Sequence, residues 1–289
     1  MIHLLLAILF SSLIFVIMRL FSRFSIDNHQ ALAWNYATAT AIGYIMSAVN
    51  GPVASPTSES WFPLSILTGF WFILTYVLMV VSSQRSGVTV TSLSSKLSVV
   101  IPTLFGVVFL NETLGLMSAI GIVLALTSLY LVVGGSENNQ VKAKKTSLIV
   151  ILPILIFFGT GTGDILMKIT ETKNISDDLT PMIAFIYGVS FLFSLVLVGL
   201  DLIKGKSKWQ WKNALGGIAL GAVNFFSTYS VYHAMRVFDN VVLFPVYNIG
   251  VVCLTALVGG LLFKEKLSWK NYLGLAIAIF AVILITAKP

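Results

Sequence analysis

Charge is what this chain lacks most. Only 10% of its 289 residues are charged, against about 25% in an ordinary soluble domain, while 57% are apolar and the mean hydropathy is +0.94. That scarcity excludes a water-soluble globule. It also excludes disorder, collagen-like and coiled-coil architectures, which need polar residues, strict glycine periods or heptads. Cysteine is nearly absent: Cys253 stands alone in an apolar run, so neither an intrachain disulfide nor a thiol metal site is available. His3, His29 and His233 are scattered over separate segments without an i,i+4 partner, and no metal site or catalytic triad can be assembled from them. No cofactor is expected. Acidic residues number 11 against 18 basic ones, a net charge of +7. In a chain this apolar such a surplus belongs to cytoplasmic loops at a lipid bilayer rather than to a nucleic-acid surface.

What is present is long apolar runs. Ten segments of spanning length can be read between polar breaks, at 2–22, 31–49, 61–82, 88–109, 114–134, 148–169, 180–200, 212–235, 238–263 and 271–287. At about 21 residues each they consume most of the chain and leave no room for a soluble catalytic domain. They are continuously apolar rather than alternating with period two, which excludes a β-barrel. The first carries Arg19 and Arg23 after its apolar run, so it reads as a retained helix rather than a cleaved signal. The expected fold is an all-α membrane protein of ten transmembrane helices.

The polar stretch Gly135–Ser147 separates five helices from five. A shift of 153 residues places Thr75 and Tyr76 on Thr228 and Tyr229, Val88 on Val241, and Gly106 on Gly259. The same shift places Glu112 on Glu265, Leu114 on Leu267, Gly121 on Gly274 and Ala125 on Ala278, while a shift of 149 pairs Met18-Arg19 with Met167-Lys168. The organisation expected is a first repeat at 1–134, a linker at 135–147 and a second repeat at 148–289. An odd number of spans per half makes the repeats inverted, as in many secondary transporters.

The segments Phe109-Leu110-Asn111-Glu112-Thr113-Leu114 and Leu262-Phe263-Lys264-Glu265-Lys266-Leu267 each close one helix and open another. This paired motif resembles that of EamA-type members of the drug/metabolite transporter superfamily, and the resemblance extends over nearly the whole chain. It implies two five-helix repeats and movement of a small solute through a central cavity between them, without naming the solute. Basic residues cluster after odd-numbered helices (Arg19, Arg23; Arg85; Lys142, Lys144, Lys145; Lys204, Lys206, Lys208, Lys212; Lys264, Lys266, Lys270), against Lys168, Lys173, Arg236 and Lys288 after even-numbered ones. The positive-inside rule then puts odd loops in the cytoplasm and both termini outside. The resemblance implies the opposite, since many relatives have both termini inside, so the charge distribution and the resemblance disagree.

Lys96 stands out among site candidates. It lies in Ser94-Ser95-Lys96-Leu97-Ser98, about 12 Å into a span at 1.5 Å per residue, where an ammonium costs about 2.5 kcal/mol or more unless it faces a wet cavity or a partner. A snorkelling or structurally paired lysine is the bland alternative to a cation that receives an anionic group or exchanges a proton. The resemblance adds that relatives carrying phosphorylated solutes use basic residues on the fourth and ninth helices. Here the matching position on the ninth is Ile249, beside Tyr247 and Asn248, which argues against a multiply charged phosphate. Asp164 follows Gly159-Thr160-Gly161-Thr162-Gly163 and precedes Lys168 by one helical turn; it reads as an interfacial ion pair, with a proton-coupling carboxylate as the alternative. The glycine run lacks the Walker lysine and is expected to soften the helix locally.

Ser95, Asn35, Tyr36, Trp71, Tyr76, Asn224, Tyr229, Tyr232, Tyr247 and Asn248 place amides, hydroxyls and rings within spans. Singly, each is as well explained by an interhelical hydrogen bond or an interfacial belt; together they suit a cavity for an amino acid or similar small amphiphile. Gly121 and Ala125 with Gly274 and Ala278, and Gly217 with Gly221, are close-packing pairs. Pro102 and Pro245 each remove a backbone hydrogen bond and offer a static kink or a bending point for gating. Glu112 and Glu265 open helices five and ten, where a carboxylate stabilises the helix N-terminus.

The sequence therefore reads as an inner-membrane secondary transporter, not an enzyme. It is expected to export a small solute, with proton exchange available; the oligomeric state is left open, a monomer being plausible. The alternatives from other classes are a membrane-embedded enzyme acting on a lipid-linked substrate and a lipid flippase.

Overall fold

A computed structural model describes residues 2–50, 56–101, 104–105, 115–135, 147–173, 179–205, 208–235, 240–264 and 268–286. Among them there are ten α-helices and no strand: α1 (Ile2–Arg23), α2 (Asn28–Asn50), α3 (Phe62–Arg85), α4 (Val88–Leu97), α5 (Leu116–Gly135), α6 (Ser147–Thr172), α7 (Thr180–Ile203), α8 (Trp211–Met235), α9 (Asn240–Phe263) and α10 (Trp269–Thr286). Each coincides with an apolar run, because a backbone out of water must satisfy its own N–H and C=O groups. Helices α1, α3, α7 and residues 211–231 of α8 are long and apolar enough to cross a membrane. Large apolar side chains such as Leu116, Tyr130, Leu192, Val196, Leu261 and Phe280 are exposed, while Asn35, Ser92, Ser128, Asn224 and Thr255 are buried. This inverts the soluble pattern and suits lipid contact.

Two connections and one span depart from a plain reading. The α3–α4 connection is only Ser86-Gly87, and Gly87 takes φ 96°, a left-handed conformation open to glycine without strain. The fourth span does not run unbroken from 88: α4 closes at Leu97, a turn follows at 98–99, and the Ser98 carbonyl accepts from Ile101 N at 2.8 Å. The donor four residues on would be Pro102, which has no N–H. The Gly159–Gly163 run, by contrast, stays helical within α6. This corrects the expected softening: a Cβ on Gly161 would lie 2.5 Å from Ile101 Cδ1, so that glycine permits close packing.

The chain forms two compact units. The first comprises residues 1–19, 78–162 and 227–289, and the second 20–77 and 163–226; each draws on both halves of the sequence. In the first, α5 packs on α10 and α4 on α9. Their core joins Val90, Leu93, Leu97, Ile122, Ala125, Val252, Ala278 and Ala281. Ser128 Oγ donates to the Gly274 carbonyl at 2.7 Å, and Ser92 and Thr255 share a hydroxyl bond of 2.6 Å. At the ends of α1 and α3, Arg19 donates to the carbonyls of Ser83 (3.0 Å) and Gln84. It thereby satisfies terminal acceptors of α3 and complements that helix dipole.

In the second unit α2 packs on α7. A Cβ on Gly43 would lie 2.8 Å from Ala184 Cβ, and Ser190 Oγ donates to the Gly69 carbonyl at 2.8 Å. Gly217 and Gly221 of α8 face the α2 backbone at the carbonyls of Ala31 and Asn35. Polar contacts join the α1–α2 and α7–α8 connections: Asn213 Nδ2 donates to Gln30 Oε1 (2.9 Å), Asp27 N to Asn213 Oδ1 (3.0 Å), and His29 pairs with Asp201. On the α2–α3 side, Ser60 donates to the Lys173 carbonyl at the end of α6. Helices α2 and α7 are therefore antiparallel.

Candidate functional site

In the first unit the last turn of α4 carries Lys96. A cation there gains from the carbonyl end of the helix, which is one reason it is tolerated in an apolar run. Lys96 Nζ donates to Tyr247 Oη at 3.0 Å and stands 4.2 Å from that ring's centroid, a hydrogen bond supplemented by cation–π attraction. No carboxylate among the described residues lies within ion-pair distance of it. The ammonium thus has a neutral partner and a net positive charge to offer. The Lys96 side chain borders a narrow recess, apolar in its lining surface, formed with Leu93, Leu97, Asn248, Val252, Ala278 and Val282.

Tyr247 leads onward. Its hydroxyl is 2.7 Å from Ser11 Oγ on α1, which is 2.7 Å from Ser227 Oγ on α8. On the other side of α4, Thr160 Oγ1 of α6 approaches the Ser95 carbonyl at 3.4 Å. Tyr229 stacks on His233 at 4.0 Å between centroids, and His233 lies 5.1 Å from the His3 ring.

A separate polar cluster occupies the second unit. Asn224 Oδ1 accepts from Tyr76 Oη at 2.6 Å and from Tyr187 Oη at 3.5 Å, and Asn224 Nδ2 donates to Asn35 Oδ1 at 3.3 Å. The Tyr36 ring lies 5.8 Å from that of Tyr76 and 6.1 Å from that of Tyr187, in the range of favourable aromatic contacts. Asn35 Nδ2 and Tyr36 Oη are buried without a hydrogen-bond partner among the described residues, so the cluster has donors to spare. Trp71 lines the neighbouring surface at Gly163, where a Cβ would lie 3.4 Å from Trp71 Cδ1. Asp164, the next residue, is exposed.

The sequence candidates thus fall into two groups. Lys96, Ser95, Tyr247, Asn248 and Tyr229 lie in the first unit, and Asn35, Tyr36, Trp71, Tyr76, Asn224 and Asp164 in the second. Gly121 of α5 and Gly274 of α10 are both buried. Pro102, Glu112 and Glu265 lie outside the described residues, as do the side chains of Tyr232, Pro245 and Lys168. Ser11, Ser227, Thr160 and Tyr187 were not singled out from sequence. Three of them carried a signal: Ser11 and Thr160 coincide in the register of 149 that links the first and sixth helices, and Tyr36 falls on Tyr187 at an intermediate shift of 151.

Residues 1–134 match the EamA-like transporter family. Over 287 residues the chain is 26% identical to an uncharacterized protein of Haemophilus influenzae, covering 97% of this chain and 96% of that one. Over residues 1–134 the chain is thus similar to the EamA-like transporter family, and its long apolar helices with buried polar groups agree with a membrane setting.

Proposed function

We propose that the chain is a secondary transporter exporting a small metabolite across the inner (plasma) membrane by alternating access, coupled to protons. The solute is an amino acid or similar small amphiphile with an anionic group. One observation carries this reading: the Lys96 ammonium, deep in a span, is held by a phenol and balanced by no described carboxylate. Burying a charge is costly unless it is paired, so an arriving carboxylate finds a half-buried cation already oriented. The single positive charge suits a monoanion better than a phosphate ester. The Asn35, Tyr36, Tyr76 and Asn224 cluster supplies spare donors and ring faces for a neutral part of the solute. Asp164 is the second proton-coupling candidate beside Lys96.

The frame is two inverted repeats, 1–134 and 148–289, joined by 135–147. Helices five apart in the chain pack on one another, α2 on α7, α4 on α9 and α5 on α10, which supports the pairing. Antiparallel packing of α4 on α9 follows from the contacts 92–255 and 96–247. The test is solid-supported-membrane electrophysiology on proteoliposomes, with panels of amino acids, organic anions, phosphorylated metabolites and organic cations under a pH gradient. Wild type is expected to respond to monoanionic or zwitterionic solutes. Lys96→Ala should lower the response about 10-fold to 100-fold, the worth of a hydrogen bond to a charged group, with helical content unchanged. A variant that matches wild type would remove Lys96 from the site.

A further inference from the structure

The contacts of Lys96 do not end at Tyr247. Four side chains from four helices form an unbroken series in the first unit: Lys96 Nζ (α4), Tyr247 Oη (α9), Ser11 Oγ (α1) and Ser227 Oγ (α8), with steps of 3.0, 2.7 and 2.7 Å. Ser11 and Ser227 are both buried, each in helical backbone. A buried hydroxyl needs one partner; Ser11 has two, both hydroxyls, and bridges them. Each hydroxyl can donate one proton and accept others, so the series has two ordered polarities. When Lys96 is an ammonium it must donate to Tyr247. Tyr247 then donates to Ser11 and Ser11 to Ser227. When Lys96 is a neutral amine the same bonds can run in reverse, with Tyr247 donating to Nζ.

Of the helices packed against α4, α5 carries Tyr130 and no charged residue, α10 carries Lys270 and Tyr272 near its start, and α9 adds Cys253, six residues beyond Tyr247; α6, which approaches α4 at Thr160, carries Asp164 one turn further on. On α1 and α8, His3 and His233 stack on one another. Their chain neighbours Leu4 and Ala234 pack with Ile8 and Tyr247. Arg19 is engaged with the end of α3.

We propose that Tyr247, Ser11 and Ser227 are a hydroxyl relay carrying the proton of Lys96 to and from water at the Ser227 end. This rests on the transporter reading above and names the route of its proton coupling. In one passage the ammonium N–H bond breaks as Tyr247 Oη gains a proton. The tyrosine's own proton passes to Ser11, that of Ser11 to Ser227, and that of Ser227 to a water molecule. One proton leaves Lys96 and one reaches water. Rotation of the three hydroxyls restores the starting polarity. The solute carboxylate binds to and leaves the ammonium reversibly, and deprotonation of Lys96 through the relay lets the empty carrier return, which couples accumulation to the pH gradient.

Ser11 and Ser227 touch neither Lys96 nor the recess beside it, so they separate proton movement from solute binding. Purified full-length protein in proteoliposomes is given a radiolabelled mixture of the twenty proteinogenic L-amino acids. Two readouts are taken: solute exchange at equal pH, and accumulation driven by a pH gradient with internal pH followed by a trapped dye. Ser11→Ala and Ser227→Ala should keep exchange within about 3-fold of wild type, since a neutral hydroxyl contributes little net binding or stability. Both should lose about 10-fold or more of gradient-driven accumulation and of the accompanying pH change, as expected when a positioned proton-transfer group is removed. Ser11→Thr, which returns a hydroxyl, should restore both. The relay is overturned if both alanine variants accumulate solute like wild type, or if exchange falls in step with accumulation in both. Wild type that is inactive in both readouts would instead sink the amino-acid transporter reading itself.

Discussion

Asn224 serves three partners with one amide. Its oxygen accepts from Tyr76 and Tyr187, and its nitrogen donates to Asn35. Asn35 and Asn224 are fully buried, so Asn224→Ala takes an acceptor from two phenols and a donor from a carbonyl oxygen where little water can replace the lost bonds. At about 1–3 kcal/mol per buried bond lost, softened by relaxation of the tyrosines, the variant should lose roughly 2–4 kcal/mol. Thermal unfolding in detergent followed by size-exclusion chromatography checks this, and a midpoint equal to wild type would mean that the cluster is hydrated and replaceable. At this scale the sequence was legible where a residue type is costly in lipid. Lys96 stood out for that reason, and Tyr247 and Asn248 were found beside its repeat counterpart, Ile249. Ser11, Ser227 and Tyr187 were not found, because a serine or tyrosine in an apolar helix has the same pattern whether it bonds a neighbour, a solute or its own backbone. Arg19 was read as a loop charge, yet it reaches the carbonyls that end α3.

Helices were legible because hydropathy and spanning length coincide: α1, α7 and α9 lie within a few residues of the expected segments. Helix ends extend into polar residues, as α3 does to Arg85, since backbone bonding continues until a glycine or a turn stops it. What hydropathy cannot give is which helix faces which. The glycines give part of that answer. A Cβ on Gly217 would lie 2.3 Å from the Ala31 carbonyl oxygen and 2.4 Å from Trp34 Cβ, and a backbone atom cannot step aside without parting α8 from α2. Gly217→Val is expected to destabilise by about 1–3 kcal/mol or more through overpacking. Gly199 is the matched control: nothing lies within 4 Å of its Cβ position in α7, so Gly199→Ala should leave stability unchanged or raise it by about 0.5–1 kcal/mol. Equal melting shifts in the two variants would show that helix propensity, not the α2–α8 approach, governs these positions.

At the scale of the whole molecule, two kinds of observation bear on sidedness. Within the second unit the α1–α2 connection meets the α7–α8 connection, through Gln30, Asn213 and Lys212, while the α2–α3 connection meets the end of α6. Within the first, the ends of α1 and α3 meet at Arg19. Odd connections thus meet odd and even meet even, as an alternating bundle requires, but contacts alone do not say which face is cytoplasmic. The charge rule makes a prediction: Lys204, Lys206 and Lys208 lie in the α7–α8 connection and Lys212 in the first turn of α8, and positive loops are expected inside. Exposed Trp209, Trp211 and Trp269 flank the starts of α8 and α10, after odd-numbered helices, where indole rings settle at a headgroup interface. The two compact units were not legible, because four helices divide between them and no composition change marks the division. Orientation can be measured with single cysteines in a Cys253→Ser background. Ser58→Cys and Lys204→Cys are both exposed positions, on opposite sides of the alternation. A membrane-impermeant maleimide applied to intact cells, with the outer barrier permeabilised if one is present, should label Ser58→Cys at once and Lys204→Cys only after the inner membrane is opened. The reverse order would place both termini in the cytoplasm, leave the basic loops outside against the charge rule, and make the relatives' orientation the better guide.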